Sequence, residues 1–206
     1  MTYDRILTIL KNHFQKRFTF YFILIIFFFL GNILGPITFK FFKPDTREFV
    51  FRLIFRQFNW NKYTNYFSIL KPSILFNLIT FFLLMYISIL KLGIYIIPFF
   101  IFIKGIMISY GVSYLINYHG FKGFLVSIIS LYPQSVFLIL PAIGFSALSM
   151  DIAKKYNNLQ YRTVNIIKDI YFNENLIITL SYLAMFIIVS LVESYSIYIM
   201  MLSLLD

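Results

Sequence analysis

Unbroken apolar runs of about 20 residues dominate the chain and alternate with shorter basic segments. A helical run of that length matches the hydrocarbon thickness of a bilayer, whereas a membrane β-barrel would show alternation over about ten residues. The pattern predicts an all-α, polytopic membrane protein, with one transmembrane domain over 1–206 that bundles about five helices. The predicted spans are 18–39, 72–90, 92–117, 121–150 and 175–202.

Two hydrophilic segments between the spans have the apolar spacing of amphipathic helices, over about 46–60 and 152–171. In the first, apolar side chains share a face beside Arg52 and Arg56, and Trp60 follows as an interfacial aromatic anchor. The spacing is typical of a helix that rests on the lipid surface. The same segment is also a candidate landing site for a soluble partner, and both interpretations stay open.

Composition narrows the class of partner and of chemistry. Only 13% of the 206 residues are charged and the net charge is +10. In a membrane protein a positive balance favours contact with anionic lipid headgroups. The basic residues are scattered among loops, which argues against nucleic acid as a partner. The chain has no cysteine, so thiol nucleophiles, disulfides and thiolate metal sites are excluded.

The basic leader 1–17 precedes a first span too long for a signal peptide and without a small-residue cleavage site. We therefore expect a retained first span in the cytoplasmic (cell) membrane. The Lys and Arg residues divide almost equally between the two sides. The first helix usually dominates, so we expect a cytoplasmic N-terminus and, with five spans, an extracytoplasmic C-terminus.

Two charged residues lie inside predicted spans, Lys104 in the third and Glu193 in the fifth. A lysine at the centre of a span costs about 2.5–3.5 kcal/mol even on permissive scales. Parallel directions of these two spans would bring the residues to similar depths, which suggests a buried ion pair. The alternative is that each side chain snorkels or faces a water-filled cleft by itself.

Small residues recur at four-residue spacing in two spans. Gly31 and Gly35 form a G-x-x-x-G pattern, which permits close approach of two helix backbones, although glycines fraying toward the end of the span would look the same. Gly105, Ser109 and Ser113 form a similar stripe behind Lys104. Helix packing is the favoured use of this stripe, ahead of a substrate path. Self-association into a homo-oligomer is left open.

The fourth span contains two prolines, Pro133 and Pro141. Each removes one backbone hydrogen bond, and the freed carbonyl needs another donor inside a membrane. Gln134 is well placed to supply one. We therefore expect a kinked or broken helix.

An enzymatic role is tested by the G-x-S pattern at Ser146, which resembles that of intramembrane serine proteases. Its base would have to be His119 or His13. His119 would lie about 40 Å away along a straight helix at 1.5 Å per residue, and His13 belongs to the leader. The sequence predicts no catalytic, cofactor-binding or metal-binding residues, and hence a non-enzymatic protein without a cofactor.

The stretch from Phe102 to Ala142 resembles the signature region of the stage II sporulation protein M family. That family typically has a lysine-glycine in its third span, further small residues, a Gly-aromatic-Lys-Gly turn, a Leu-x-Pro-Gln helix and a late acidic residue. The matching residues are Lys104-Gly105, Gly111, Ser113, Gly120-Phe121-Lys122-Gly123, Leu131-Tyr132-Pro133-Gln134 and Glu193. Ser109 and Ser113 stand where the family usually has glycine.

The resemblance implies a non-enzymatic scaffold of the peptidoglycan-remodelling machinery that acts in engulfment during endospore formation. Its partners would be cell-wall hydrolases, a lytic transglycosylase and an amidase/endopeptidase, which it would localise at the septum. Related proteins of the broad family occur in circular-bacteriocin gene clusters. The alternative is therefore a membrane component for export, maturation or immunity of a secreted peptide.

Overall fold

The computed structural model describes residues 14–54, 66–90, 92–157 and 176–205, without the side chains of 130, 132–134 and 200–205. Nearly all of the described residues are helical, and none of them lies in a strand. We number the α-helices in chain order; one π-helical turn, Ser127–Leu131, precedes α5. The helices are α1 Phe18–Phe41, α2 Pro44–Ile54, α3 Tyr66–Ile87, α4 Gly93–Val126, α5 Tyr132–Asn157 and α6 Leu176–Leu205.

Within the described residues, five helices are long and apolar enough to cross a membrane. Large apolar side chains such as Phe29 and Ile188 are exposed on the outside of the bundle, as expected where lipid replaces water. The chain is therefore an α-helical, multi-pass membrane protein, in agreement with the predicted fold class.

The spans run alternately between two ends of the bundle. We call the end where α1 begins the leader end, and the opposite end, which carries α2, the α2 end. Near the leader end the core is built on Phe81, Phe145 and Phe186, with the rings of Phe81 and Phe145 stacked at 4.3 Å. A second cluster, which includes Tyr110 and Ile197, fills the bundle near the α2 end.

The second span begins earlier than predicted, at Tyr66 rather than at residue 72. The Tyr66 hydroxyl accepts a hydrogen bond from Ser194 at 3.0 Å and donates one to the Leu191 carbonyl at 3.4 Å, both on α6. These contacts secure the turns that precede Pro72. The Pro72 signal therefore marks a position inside the helix rather than its start.

The chain reverses direction at Gly120, within α4. Gly120 has φ 56° and ψ −131°, a conformation that is open essentially to glycine alone. Three residues later, Gly123 lies so close to the Leu115 carbonyl that an added Cβ would overlap it. Lys122 is exposed in the same turn. The Gly-Phe-Lys-Gly stretch therefore forms the tight connection between the third and fourth spans.

Replacing Gly120 with alanine should lower the free energy of unfolding by about 1–3 kcal/mol, the usual cost of a strained backbone conformation. The space around a Cβ at this position is empty within 4 Å, so the whole loss would come from the backbone. Equilibrium unfolding in mixed micelles measures it, with Lys122→Ala as the control in the same turn. Equal stability of the two variants would contradict a strained glycine turn.

The predicted irregularity in the fourth span falls at the π-helix. Ile129 lies in this π-helix, and Pro133 has no N–H to donate to the Ile129 carbonyl. π-Helical turns are a known source of helix bending. The side chains of Pro133 and Gln134 lie outside the described residues, so the predicted role of Gln134 stays a prediction. Pro141 is buried within a continuous α5.

α5 extends beyond the predicted end of the span at residue 150, to Asn157. The start of the predicted amphipathic segment 152–171 is therefore part of a bundle helix. Ile152 is buried in the core there, and this burial explains the continuation. Residues 158–171 lie outside the described part of the chain.

The described part of the helix predicted over 46–60 lies in α2, Pro44–Ile54, and residues 55–60 lie outside the described part of the chain. The helix docks on α4 through Phe51, which is buried and whose ring stacks on Tyr114 at 3.9 Å. Arg47 secures the corner between α1 and α2 by donating to the carbonyls of Phe42 at 2.8 Å and Lys40 at 3.2 Å. α2 thus has a fixed place on the bundle.

Arg52 is exposed and pairs with Glu48 one turn earlier. Arg56 and Trp60 lie outside the described residues, so their predicted contacts stay predictions.

Candidate functional site

A buried cluster of polar side chains lies where α3 faces α6. Ser73 and Asn77, four residues apart, share one face of α3, and Ser190 and Glu193, three residues apart, share one face of α6. All four are buried, none more than 4% exposed. We call these four residues the carboxylate cluster.

The Glu193 carboxylate is held by two donors from α3. Its Oε2 atom accepts a hydrogen bond from Ser73 Oγ at 2.6 Å and another from Asn77 Nδ2 at 2.8 Å. Asn77 also donates to Ser190 Oγ at 3.0 Å, and Ser190 in turn donates to the Phe186 carbonyl within α6. Hydrogen bonds to an ionised carboxylate are roughly twice as strong as neutral ones, so the cluster ties α3 firmly to α6.

Lys104 approaches the same region from α4. It is buried, and its ammonium lies over the ring of Phe76 at 4.2 Å from the centroid and near Phe100 at 5.7 Å. Phe76 directly precedes Asn77 on α3. Lys104 and Glu193 attract each other electrostatically, but these two described residues form no direct ion pair. The structure therefore places Lys104 and Glu193 in the same buried region of the bundle, where aromatic faces contact the ammonium of Lys104.

The two α3 residues of the carboxylate cluster were not predicted from the sequence. Ser73 and Asn77 are small polar residues inside an otherwise apolar run, and their four-residue spacing was the available signal. An amide in a membrane span needs a hydrogen-bonding partner, so Asn77 could have been paired with the span that carries Glu193.

A second polar contact, also missed, closes the leader end of the bundle. Arg17 precedes α1 and pairs with Asp151 on α5 through Nη2 and Oδ2, 2.9 Å apart, with their side chains 4% and 12% exposed. The hydroxyls of Tyr21 and Tyr182 lie 3.2 Å apart nearby. Sequence reasoning assigned Arg17 to the leader and left Asp151 just beyond the end of the fourth span at residue 150, whereas both belong to the bundle.

The two small-residue stripes pack against each other. A Cβ added at Gly31 would overlap the Phe102 carbonyl of α4, and one added at Gly35 would overlap Ser109 Oγ. Gly105 lies correspondingly close to the backbone of α1 at Phe28. The α1 and α4 backbones are therefore in direct contact, which small residues make feasible.

The serines of this stripe satisfy their own hydroxyls. Ser109 Oγ donates to the Gly105 carbonyl at 2.9 Å, and Ser113 Oγ donates to the Ser109 carbonyl at 2.9 Å. Both bonds run back along α4, so neither hydroxyl is directed into an open path.

The serine and the histidine considered for catalysis lie in different environments. Ser146 is fully buried in α5, whereas His119 is exposed beside the Gly120 turn. His13 lies outside the described residues. Across the described part of the chain, no group of three His, Cys, Asp or Glu side chains is placed to hold a metal ion.

No family model, curated protein or solved structure matches the chain.

Proposed function

We propose that the chain is a non-enzymatic membrane scaffold that recruits cell-wall hydrolases to the septum and localises them there during engulfment in endospore formation. The proposal follows the resemblance to the stage II sporulation protein M family. It places the chain in the cytoplasmic membrane, with the N-terminus in the cytoplasm. The α2 end then faces the cell wall, where a lytic transglycosylase and an amidase/endopeptidase would act.

The observation that carries the proposal is that helix α2 docks on the bundle through Phe51 and leaves other apolar side chains uncovered. Phe51 anchors the helix on the bundle, whereas Phe49 and Leu53 are 64% and 49% exposed. The basic side chain of Arg52, in the same helix, is also exposed. A helix held rigidly at one end of the bundle is suited to present a binding surface, either to a partner or to anionic lipid headgroups.

The use of the polar residues within the spans also supports a scaffold. The Lys104-Gly105 pair of the resemblance region packs into the bundle, with Gly105 against α1 and Lys104 against Phe76. Gly120 and Gly123 form the turn that joins the two spans of that region. These residues therefore set helix packing, as a rigid assembly platform requires.

A second candidate is a membrane component for export, maturation or immunity of a secreted peptide. The carboxylate cluster favours it, because ionisable residues within membrane spans often mark pathways for ions or substrates. The two candidates differ in what the α2 end contacts: hydrolases for the first, an ATPase or a small peptide for the second.

Site-specific photo-cross-linking distinguishes these candidates. A photoreactive amino acid at Phe49 or Leu53, in sporulating cells of the source organism, should cross-link to a lytic transglycosylase or an amidase/endopeptidase, identified by mass spectrometry. The same probe at Phe29, which is 62% exposed on α1, is the matched control and should give lipid adducts.

Cross-links to an ATPase or a small peptide would support the second candidate instead. Lipid adducts alone at all three positions would remove the support that α2 gives to a partner surface. A source organism that forms no endospores would contradict the sporulation role directly, while the fold would stand.

A further inference from the structure

We propose that Glu193 is a proton-binding site inside the membrane, and that Asn77 is arranged to serve both of its forms. Glu193 is 4% exposed. Its partner Asn77 lies about 15 Å from the leader end of α3 at 1.5 Å per residue, near the middle of a hydrocarbon layer about 30 Å thick. The inference concerns the interior of the bundle and does not rest on the proposed function.

The observed arrangement suits the ionised carboxylate. Ser73 and Asn77 both donate to the same oxygen, Glu193 Oε2. Donors aimed at one carboxylate oxygen stabilise the charged form, and the ammonium of Lys104 adds electrostatic attraction.

The protonated form would need an acceptor, and the cluster contains one. The Oδ1 atom of Asn77 is buried and has no hydrogen-bond partner among the described residues. Leaving a buried acceptor unpaired is energetically costly, so its presence beside Glu193 needs an explanation. Rotation of the amide by half a turn would exchange Nδ2 for Oδ1. Asn77 would then accept a hydrogen bond from the carboxylic acid of Glu193.

The charged and titratable groups near this site come from several of the described helices. Lys104 approaches from α4. Tyr66 of α3 is bonded to Ser194, one residue along from Glu193, and the π-helix has no titratable side chain. The acid of α5, Asp151, is engaged by Arg17 at the leader end. Lys104 is therefore a charge that shifts the balance between the two forms of Glu193.

Infrared difference spectroscopy of the full-length protein in lipid vesicles tests this proposal. Acidification of the parent protein from neutral pH should produce a carboxylic-acid carbonyl band that is missing from Glu193→Gln and reverses on return to neutral pH. In Lys104→Met the band should be about tenfold stronger at neutral pH than in the parent, the least effect expected from loss of a nearby opposite charge. Lys71→Met, which removes an exposed lysine of α3, is the control and should match the parent.

Two results would overturn the proposal. One is a parent spectrum that does not differ from that of Glu193→Gln across the titration. The other is a Lys104→Met spectrum that coincides with that of the parent. If a variant fails to fold, a lipid-soluble carbodiimide, which reacts with protonated carboxyl groups, can be applied to the parent alone. Mass spectrometry should then find labelling of Glu193 that rises on acidification, and labelling independent of pH would contradict the site.

Discussion

Replacing Arg17 with methionine should lower the free energy of unfolding by about 3 kcal/mol, because the change leaves the buried carboxylate of Asp151 without its cation. The two groups are 2.9 Å apart and nearly enclosed, at the junction of the leader with α1 and the end of α5. Equilibrium unfolding in mixed micelles measures the loss, and the exposed neighbour Lys16 supplies the control variant Lys16→Met.

The double variant Arg17→Met/Asp151→Leu should recover most of this stability. Removing both charges leaves no unpaired ion, and apolar replacement of a buried pair is often neutral or stabilising. A double-mutant cycle therefore separates the interaction from the separate effects of each substitution. If the double variant is as unstable as the sum of the two single variants, the ion pair contributes nothing and the prediction is wrong.

Replacing Gly31 with alanine should destabilise the bundle by about 1–3 kcal/mol, the cost of overpacking a well-packed interface. The added Cβ would overlap the backbone carbonyl of Phe102, which cannot rotate away as a side chain could. In an isolated helix the same substitution would be favourable by about 1 kcal/mol. The sign of the measured change therefore reports whether α1 and α4 are in contact at this position.

Ile33→Ala provides the comparison on the other side of α1, where Ile33 is 61% exposed. Its truncation should leave the unfolding free energy nearly unchanged, because lipid replaces the lost side-chain contacts. Stabilisation by Gly31→Ala would contradict the close packing of α1 on α4.

Much of the fold follows from the apolar pattern, because each span needs about 20 apolar residues wherever it packs. The five spans, the glycine turn at Gly120 and the interruption before Pro133 are all local features and could be predicted. The start of α3 at Tyr66 could not, because it depends on hydrogen bonds to α6, a helix far along the chain.

The candidate site shows the same limit more clearly. Lys104 and Glu193 stood out because charge inside a span is costly. The residues around them could not be predicted, because the packing of the whole bundle decides which face of α3 contacts α6. Arg17 and Asp151 were hidden for a different reason. Each lies close to other charged residues in the sequence, and the sequence does not show which of these side chains is buried in an ion pair and which is solvated.

The structure explains how a serine at position 109 is accommodated in the contact between α1 and α4. Its Oγ lies where a Cβ on Gly35 would be, so glycine on α1 provides the space that glycine on α4 would otherwise provide. The hydroxyl is satisfied within α4 by the Gly105 carbonyl. One small residue of each facing pair is enough for close approach of the two backbones.

Because α2 and α3 are both anchored to the bundle, the segment between them can contact a partner only within a limited distance of the membrane. Phe51 fixes the end of α2 on α4, and Tyr66 fixes the start of α3 on α6. The 11 residues from 55 to 65 join Ile54, at the end of α2, to Tyr66, and the 12 steps between these two residues span at most about 40 Å when fully extended. The backbone of Arg56 or Trp60 can therefore lie no farther than about 20 Å from Ile54 or from Tyr66. A partner that binds this segment must therefore approach the α2 end to within that distance.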